Sequence, residues 1–535
     1  MTRSRSIADH PRRTNGQLQR DGAPSAPRLV LATVCAVLFL TFLDTTIVAV
    51  ALSSVQSNLH AGVSDLQWTV NAYSLVFASL MLMAGALSDQ YGRKRLMLVG
   101  IGVFCAGSLL ACLAPNPDVL IAARAVMGAG AAASEPGTLS VIRQVFPDQR
   151  DRARALGAWA GVSALALAAG PVVGGLLVGI WTWRAVFVFN LAAGAVVLAA
   201  ARRFVPESKD PENARLDIPG FVTATVSLAS LTFAVILGES NGYGSSVVEL
   251  LFVVGAVSGA AFVASEARSR SPMLDLAYVR VPAFSGALAV AFAAFFGIFA
   301  IFFFSALYLQ EVVNYSGYRT ALVFLPMAGA MIVAALVSGR LVGRFGPRGP
   351  MAVGSVVAAA GIFAANAVLG QSVNFSELAV SLAVAGAGFG TVVVPVTSVT
   401  LTVVPAVRSG MAASATNTSR ELGSVFGVAV LGALVNAHLT SDLTHRLQRL
   451  QIPLTDQHTV IQAIETGLIP TGSKLNAYPA RYHNLIHEVI HAAYAAFGDG
   501  LDQALLAAGS AMLACALVAL GTLHRRVETS AADLD

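Results

Sequence analysis

Charge is scarce in this sequence. Asp, Glu, Lys and Arg make up 12% of 535 residues, against about a quarter in soluble domains. A disordered scaffold, which needs charged and polar residues to stay solvated, is thereby excluded. Lysine is almost missing: Lys94, Lys209 and Lys474 are the whole complement, preceded by Arg93, Ser208 and Ser473. A Walker A loop needs glycine directly before its lysine, so this polypeptide carries no such ATPase site. Cysteine is limited to Cys35, Cys105, Cys112 and Cys515. All four fall inside apolar runs, without the spacing of a disulfide framework or a zinc site.

What the sequence has in excess is apolar residues, 56% of the chain, with a mean hydropathy of +0.70. Fourteen apolar runs occur, at 29–52, 68–87, 96–113, 119–142, 155–180, 185–201, 218–238, 247–265, 281–309, 320–339, 350–370, 378–407, 411–437 and 503–523. A bilayer-spanning helix needs about 20 such residues. The runs are too long for barrel strands and lack their alternation. They predict an all-α polytopic membrane protein with 14 spans and exclude a soluble enzyme or a nucleic-acid binder. The pI near 9.2 reflects where the basic residues sit. The N-tail, the loops after even-numbered spans and the C-tail hold 26 of the 34, and the opposite loops hold six, four of them in 438–502. By the positive-inside rule both termini are cytoplasmic. The arginine-rich start followed by Ala49-Val50-Ala51 imitates a secretory signal, but the run is too long and contains Asp44, so it is expected to be an uncleaved first span. Arginine in place of lysine, amid abundant alanine, suggests a GC-rich bacterial genome and hence the inner (cytoplasmic) membrane.

An internal repeat organises the chain. Gly85-Ala-Leu-Ser-Asp-Gln-Tyr-Gly-Arg follows span 2, and Gly339-Arg-Leu-Val-Gly-Arg-Phe-Gly-Pro follows span 10, at a constant offset of 254. A weaker echo pairs Gly128-Ala-Gly130 with Gly386-Ala-Gly388. Repeated halves with a site at the midplane between them are how alternating-access transporters are built. The offset equals eight spans, which two six-helix bundles with two helices inserted between them would produce. The expected divisions are 1–28, an N-terminal tail; 29–201, the first bundle; 202–265, a linker and the inserted pair; 266–523, the second bundle with its long external loop 438–502; and 524–535, the C-terminal tail.

Five charges fall deep within spans: Asp44, Arg124, Glu135, Arg420 and Glu421. Each costs several kcal/mol in hydrocarbon unless it meets a partner or a cavity. Asp44 and Arg124 lie roughly 12 Å and 9 Å below the outer ends of spans 1 and 4 at 1.5 Å per residue, so they can pair. A carboxylate that exchanges environment would take up and release a proton, which makes Asp44 and Arg124 the proton-coupling candidates; the alternative is a static ion pair joining two spans. Glu135 and Glu421, with Asn417 and Arg420, are candidates for a cavity that attracts cationic substrates, or else hydrogen-bonded packing contacts. Arg420 and Glu421, adjacent on a helix, point about 100° apart and are expected not to pair.

These segments together resemble the major facilitator superfamily and, within it, the fourteen-span drug:proton antiporters of the EmrB/QacA type. The likeness rests on Leu43-Asp44-Thr45-Thr46 through Leu52, Gly85 through Arg95, Arg124-Ala-Val-Met-Gly128-Ala-Gly130, Gly170-Pro171-Val-Val-Gly174-Gly175, Trp183-Arg184 to Asn190, Tyr308-Leu309-Gln310 through Pro326, and Asn417-Thr-Ser-Arg420-Glu421-Leu-Gly423. Met127, Ala49 and Glu135 depart from the usual pattern. The resemblance implies proton-driven multidrug export of small amphipathic or cationic compounds, no enzymatic activity and no cofactor beyond the proton gradient. The partners it implies are the small-molecule substrate and membrane lipid, not nucleic acid. Alternatives are a dedicated exporter of an endogenous antibiotic or siderophore, and a non-transporting scaffold or sensor. Gly85, Asp89, Gly92 and Arg93 are then expected to form a gating latch, with Asp89 capping the next helix or pairing with Arg93. Gly170, Pro171, Gly174 and Gly175 form a close-packing face. His487-Glu488-Val489-Ile490-His491, with His483 a turn earlier, matches a zinc-protease pattern. Zinc proteolysis would need a third ligand and a substrate cleft, and no folded domain accompanies the motif; an amphipathic interfacial helix is the expected reading, with adventitious or regulatory metal binding the alternative.

Overall fold

The computed structural model describes residues 27–61, 63–208, 217–269, 272–313, 315, 317–369, 374–405, 408–449 and 483–523, and among them every regular element is helical. The first six helices are α1 (Pro27–Leu59), α2 (Val63–Tyr91), α3 (Arg93–Cys112), α4 (Pro117–Val145), α5 (Gln149–Ile180) and α6 (Arg184–Phe204). Next come α7 (Ile218–Asn241), α8 (Ser246–Glu266) and a single turn, α9 (Leu276–Val279). The last six are α10 (Pro282–Glu311), α11 (Gly317–Phe345), α12 (Arg348–Val368), α13 (Phe375–Val403), α14 (Ser409–Arg449) and α15 (His483–Thr522). A long helix thus stands at each of the fourteen apolar runs. Twelve are long and apolar enough to cross a membrane, and α5, bent by 41° between Leu167 and Val172, makes a thirteenth. The break covers residues 168–171, a stretch whose sequence ends in proline, a residue that cannot complete the helix hydrogen-bond pattern. α4, which carries Arg124 and Glu135, falls outside that set, so the count is twelve or thirteen among the described residues, a number compatible with fourteen.

Helix starts follow local chemistry. Asn116 accepts from the Val119 N–H at 3.0 Å ahead of Pro117, and Asp148 accepts from the Arg150 and Asp151 N–H groups at 2.9 and 3.1 Å. Those donors, that of Asp151 first, hold the exposed Asp148 carboxyl below the usual carboxylate range. The repeat has a physical basis at both copies. Gly92 and Gly346 end their helices at φ +113° and +79°, a region open to glycine. Gly85 of α2 faces Ser414 of α14, and Gly339 of α11 faces the Ala153 backbone of α5; a Cβ on either would collide. The same glycine, offset by 254, therefore builds each of the two seams that join the halves, α2 on α14 and α5 on α11. The inserted pair α7 and α8 packs on itself and lies outside the α2–α14 seam, and only 11% of α8's apolar stretch is covered by protein.

Of the segment 438–502, the described residues 438–449 and 483–502 are helical and continue α14 and α15. α14 runs 41 residues and α15 runs 40, about 60 Å each at 1.5 Å per residue, twice the roughly 30 Å of a hydrocarbon core. They continue past the membrane side opposite the basic loops as a helical hairpin. Leu439, Leu443 and Leu447 pack there on Ala492, Ala493 and Ala496, with Val489 and Phe497 alongside, and Arg446 bridges Asp442 and Asp499. Of the apolar face expected there, Val489 and Ala493 lie in this cluster with α14, and the side chains of Tyr482, Leu485 and Ile486 lie outside the described residues. His491 is exposed; the side chains of His483 and His487, the tails 1–26 and 524–535, and segment 450–482 lie outside the described residues.

Candidate functional site

Two charge centres lie inside the helices. The first belongs to the N-terminal half alone. Asp44 on α1 and Arg124 on α4 form an ion pair with both side chains at most 1% exposed. Arg124 Nε also donates to the Thr69 carbonyl at 2.9 Å, and its guanidinium lies 4.5 Å from the Tyr73 ring centroid. Asn190 on α6 donates from Nδ2 to the other Asp44 oxygen at 2.6 Å. Three helices therefore meet on one carboxylate, both of its oxygens are engaged, and α2 holds the arginine. A buried pair costs much of its attraction in desolvation, and breaking one partner away costs about 3–5 kcal/mol. Asn190 was quoted in the sequence only as part of a familial stretch; no local pattern marks it as the second donor.

The second centre straddles the halves. Arg420 on α14, 3% exposed, donates to Asn417 at 3.1 Å and to Thr397 of α13 at 2.5 Å. Its guanidinium lies 5.3 Å from the ring of Trp159 on α5 and 5.5 Å from that of Phe295 on α10. Trp159 is anchored in turn through Nε1 to Thr138 of α4 at 3.1 Å. Glu135 of α4 is buried with Oε2 lacking any hydrogen-bond partner, and Asn417 Nδ2 is likewise unpartnered. Glu421 is half-buried, and Glu135, Arg420 and Glu421 act on one another electrostatically. Arg420 makes its hydrogen bonds away from its neighbour Glu421. Two carboxylates, Glu135 with an unpartnered oxygen, thus act on a cation held by aromatic rings at the seam between the halves. Trp159, Phe295 and Thr397 carry no sequence signal, being apolar or small residues in apolar runs.

At the basic-loop end the halves are fastened by Asp89. Its carboxylate pairs with Arg93 at 2.8 Å and accepts the N–H groups of Gly410 and Met411, both at 3.0 Å. Asp89 therefore caps α14, across the seam, rather than the next helix. α3 starts at Gly92 without a side-chain cap, and the Lys94 and Arg95 N–H groups go to Glu207 at 3.1 and 3.2 Å. Arg143 adds a hydrogen bond to the Pro405 carbonyl at 3.3 Å. Along α5, Gly170 and Gly174 lie against Thr46 and Ile47 of α1, where a Cβ would collide or be crowded; Gly175 is exposed and its Cβ would meet only Val50 at 3.9 Å. Gly175 is thus outside the close-packed face. Nothing is described of the Pro171 side chain. Among the described residues no group of three His, Cys, Asp or Glu is placed to hold a metal.

Comparison with known proteins agrees with this architecture. The Major Facilitator Superfamily model matches residues 34–428. The multidrug resistance protein Stp of Mycobacterium tuberculosis is 33% identical over 93% of this chain and 92% of its own. The multidrug efflux pump LfrA of Mycolicibacterium smegmatis is 31% identical over 95% and 99%. The tetracenomycin C resistance and export protein of Streptomyces glaucescens is 30% identical over 94% and 92%. Among solved structures, the human organic anion transporter MFSD10 superposes with a TM-score of 0.62 at 13% identity, covering 92% of this chain and all (100%) of its own; at that identity it speaks for the fold alone. With a repeated pair of glycine-built seams and a matching family model over most of its length, this chain belongs to the major facilitator superfamily.

Proposed function

We propose that this protein is a proton-coupled exporter of small amphipathic compounds, cationic ones included, resident in a bacterial cytoplasmic membrane with both termini inside. The observation that carries the reading is the sealed Asp44–Arg124 pair, completed by Asn190. A guanidinium so placed favours the charged form of the carboxylate. If a shift of α1 against α4 within the N-terminal half, accompanying the change of state, draws Arg124 away, the same carboxylate stands in a low-dielectric interior and takes a proton. The basic-loop end is fastened by Asp89, so the described conformation corresponds to one closed toward the cytoplasm. The glycines and Arg93 around it would act as the gate. Glu135, Asn417 and Glu421 would receive the cargo at the seam, with Arg420 as the resident cation that a positively charged drug competes with.

The names of relatives support export of drugs and antibiotics. A narrower reading, export of a self-made antibiotic, is favoured by the tetracenomycin-exporting relative. Expression in a drug-susceptible host, with efflux of a substrate panel measured with and without a protonophore, tests both. Broad, protonophore-sensitive efflux supports the first reading, and a single accepted compound the second. Equal accumulation in energised and de-energised cells contradicts both.

A further inference from the structure

A pair of buried carboxyl groups lies apart from both charge centres, where the inserted helices meet the basic-loop end. Asp217 stands at the N-cap of α7 and Glu266 is the last residue of α8; they are 8% and 4% exposed. Asp217 Oδ1 accepts from the Gly220 N–H at 2.8 Å, and the Glu266 carboxyl is approached by the Leu274 N–H, at 3.4 Å from Oε2, and by the Met273 N–H. The other oxygens, Asp217 Oδ2 and Glu266 Oε1, are buried without a partner. The groups meet over the bare Cα of Gly220, where a Cβ would lie 2.8 Å from Glu266 Oε1 and 3.0 Å from Asp217 Cγ.

Two ionised carboxylates cannot rest there cheaply. Like charges oppose each other, and Glu266 also sits at the negative end of the α8 dipole. Among the described residues, the charged groups acting on Glu266 are Asp217 and Asp275, both acidic. Asp275 is already neutralised by Arg408 at 2.7 Å. Next to the pair in sequence, Phe221 of α7, Phe262 of α8 and Met273 belong to an apolar cluster with Leu82, Met83 and Ala86 of α2. Each of these two carboxyl groups, which both approach the Gly220 Cα, has one buried oxygen without a donor, and a single hydrogen is what the pair lacks.

We propose that Asp217 and Glu266 form a proton-binding site, holding one proton between Asp217 Oδ2 and Glu266 Oε1. That single hydrogen satisfies both orphans and ties the start of α7 to the end of α8. The tie reaches the inter-half latch through covalent neighbours. Glu266 holds the Leu274 N–H; the next residue, Asp275, pairs with Arg408 and gives its N–H to the Met411 sulfur at 3.4 Å. Met411 is one of the two residues whose N–H groups Asp89 holds. The inserted pair therefore braces the α14 terminus that the latch grips, with its own proton separate from that of Asp44.

Infrared difference spectroscopy on the full-length protein in membranes tests this without recourse to transport. Spectra of Glu266→Gln and Asp217→Asn are each subtracted from that of the wild type at neutral pH. Both variants keep a hydrogen-bonding group, and asparagine preserves the cap on Gly220. Each substitution lets an amide donate to the surviving carboxylate, so each should abolish the same protonated-carboxyl band. The site is overturned if neither variant removes such a band, which means both groups are ionised. It is equally overturned if only one does, which means an isolated acid without sharing.

Discussion

At the scale of single residues, Asp44 depends on two donors from different helices, Arg124 and Asn190, and the sequence advertises them unequally. Two opposite charges at similar depth in apolar runs are visible in a string of letters, because burying either alone costs too much. An asparagine carries no such penalty and leaves no mark. Asn190→Leu removes a hydrogen bond to a charged group, worth about 1.5–3 kcal/mol. A lower melting temperature in detergent is the expected outcome, and an unchanged one would show the contact to be idle. Glycines sort in the same way. Gly170→Ala drives a Cβ into Thr46 and the Ile47 backbone, and should destabilise by about 1–3 kcal/mol, the usual cost of overpacking. Gly175→Ala, on an exposed face, should stay within about 0.5 kcal/mol. Thermal unfolding of the two variants side by side checks both, and equal effects would contradict the packing described.

At the scale of helices, length and apolar content fixed where each one lies, because hydrocarbon leaves the backbone few other options. Hydropathy could not foresee the projection of α14 and α15 beyond the membrane. There the helices are held by a leucine–alanine seam of ordinary soluble type, and 438–502 reads as polar loop until the partner face is known. Leu443 is fully buried in that seam. Leu443→Ala in such a setting typically costs about 2–5 kcal/mol. Because the cluster is separate from the main core, the loss should be local: limited proteolysis should cut the hairpin faster while drug efflux persists. Loss of efflux with an intact hairpin would contradict the separation.

At the scale of the whole molecule, the 254-residue repeat was legible as two copies of one glycine motif, and its meaning became visible only when each copy was found building one seam. The copies are not equivalent. Asp89 caps α14 across the first seam, whereas the matching position in the second copy is Gly343, lying against Arg150. The latch is therefore one-sided, and Asp89→Ala should loosen it. A Ser414→Cys reporter beneath Gly85 should then react several-fold faster with a membrane-impermeant thiol reagent applied from the basic-loop side; an unchanged rate would contradict the latch. The central claim concerns coupling between that movement and a proton on Asp44. Purified protein in sealed vesicles, loaded with a transported dye and given an imposed pH gradient, tests it most directly. With Asp44→Asn, exchange of dye down its own gradient should persist while gradient-driven uphill accumulation is lost. Uphill accumulation by Asp44→Asn at the wild-type rate would contradict the claim.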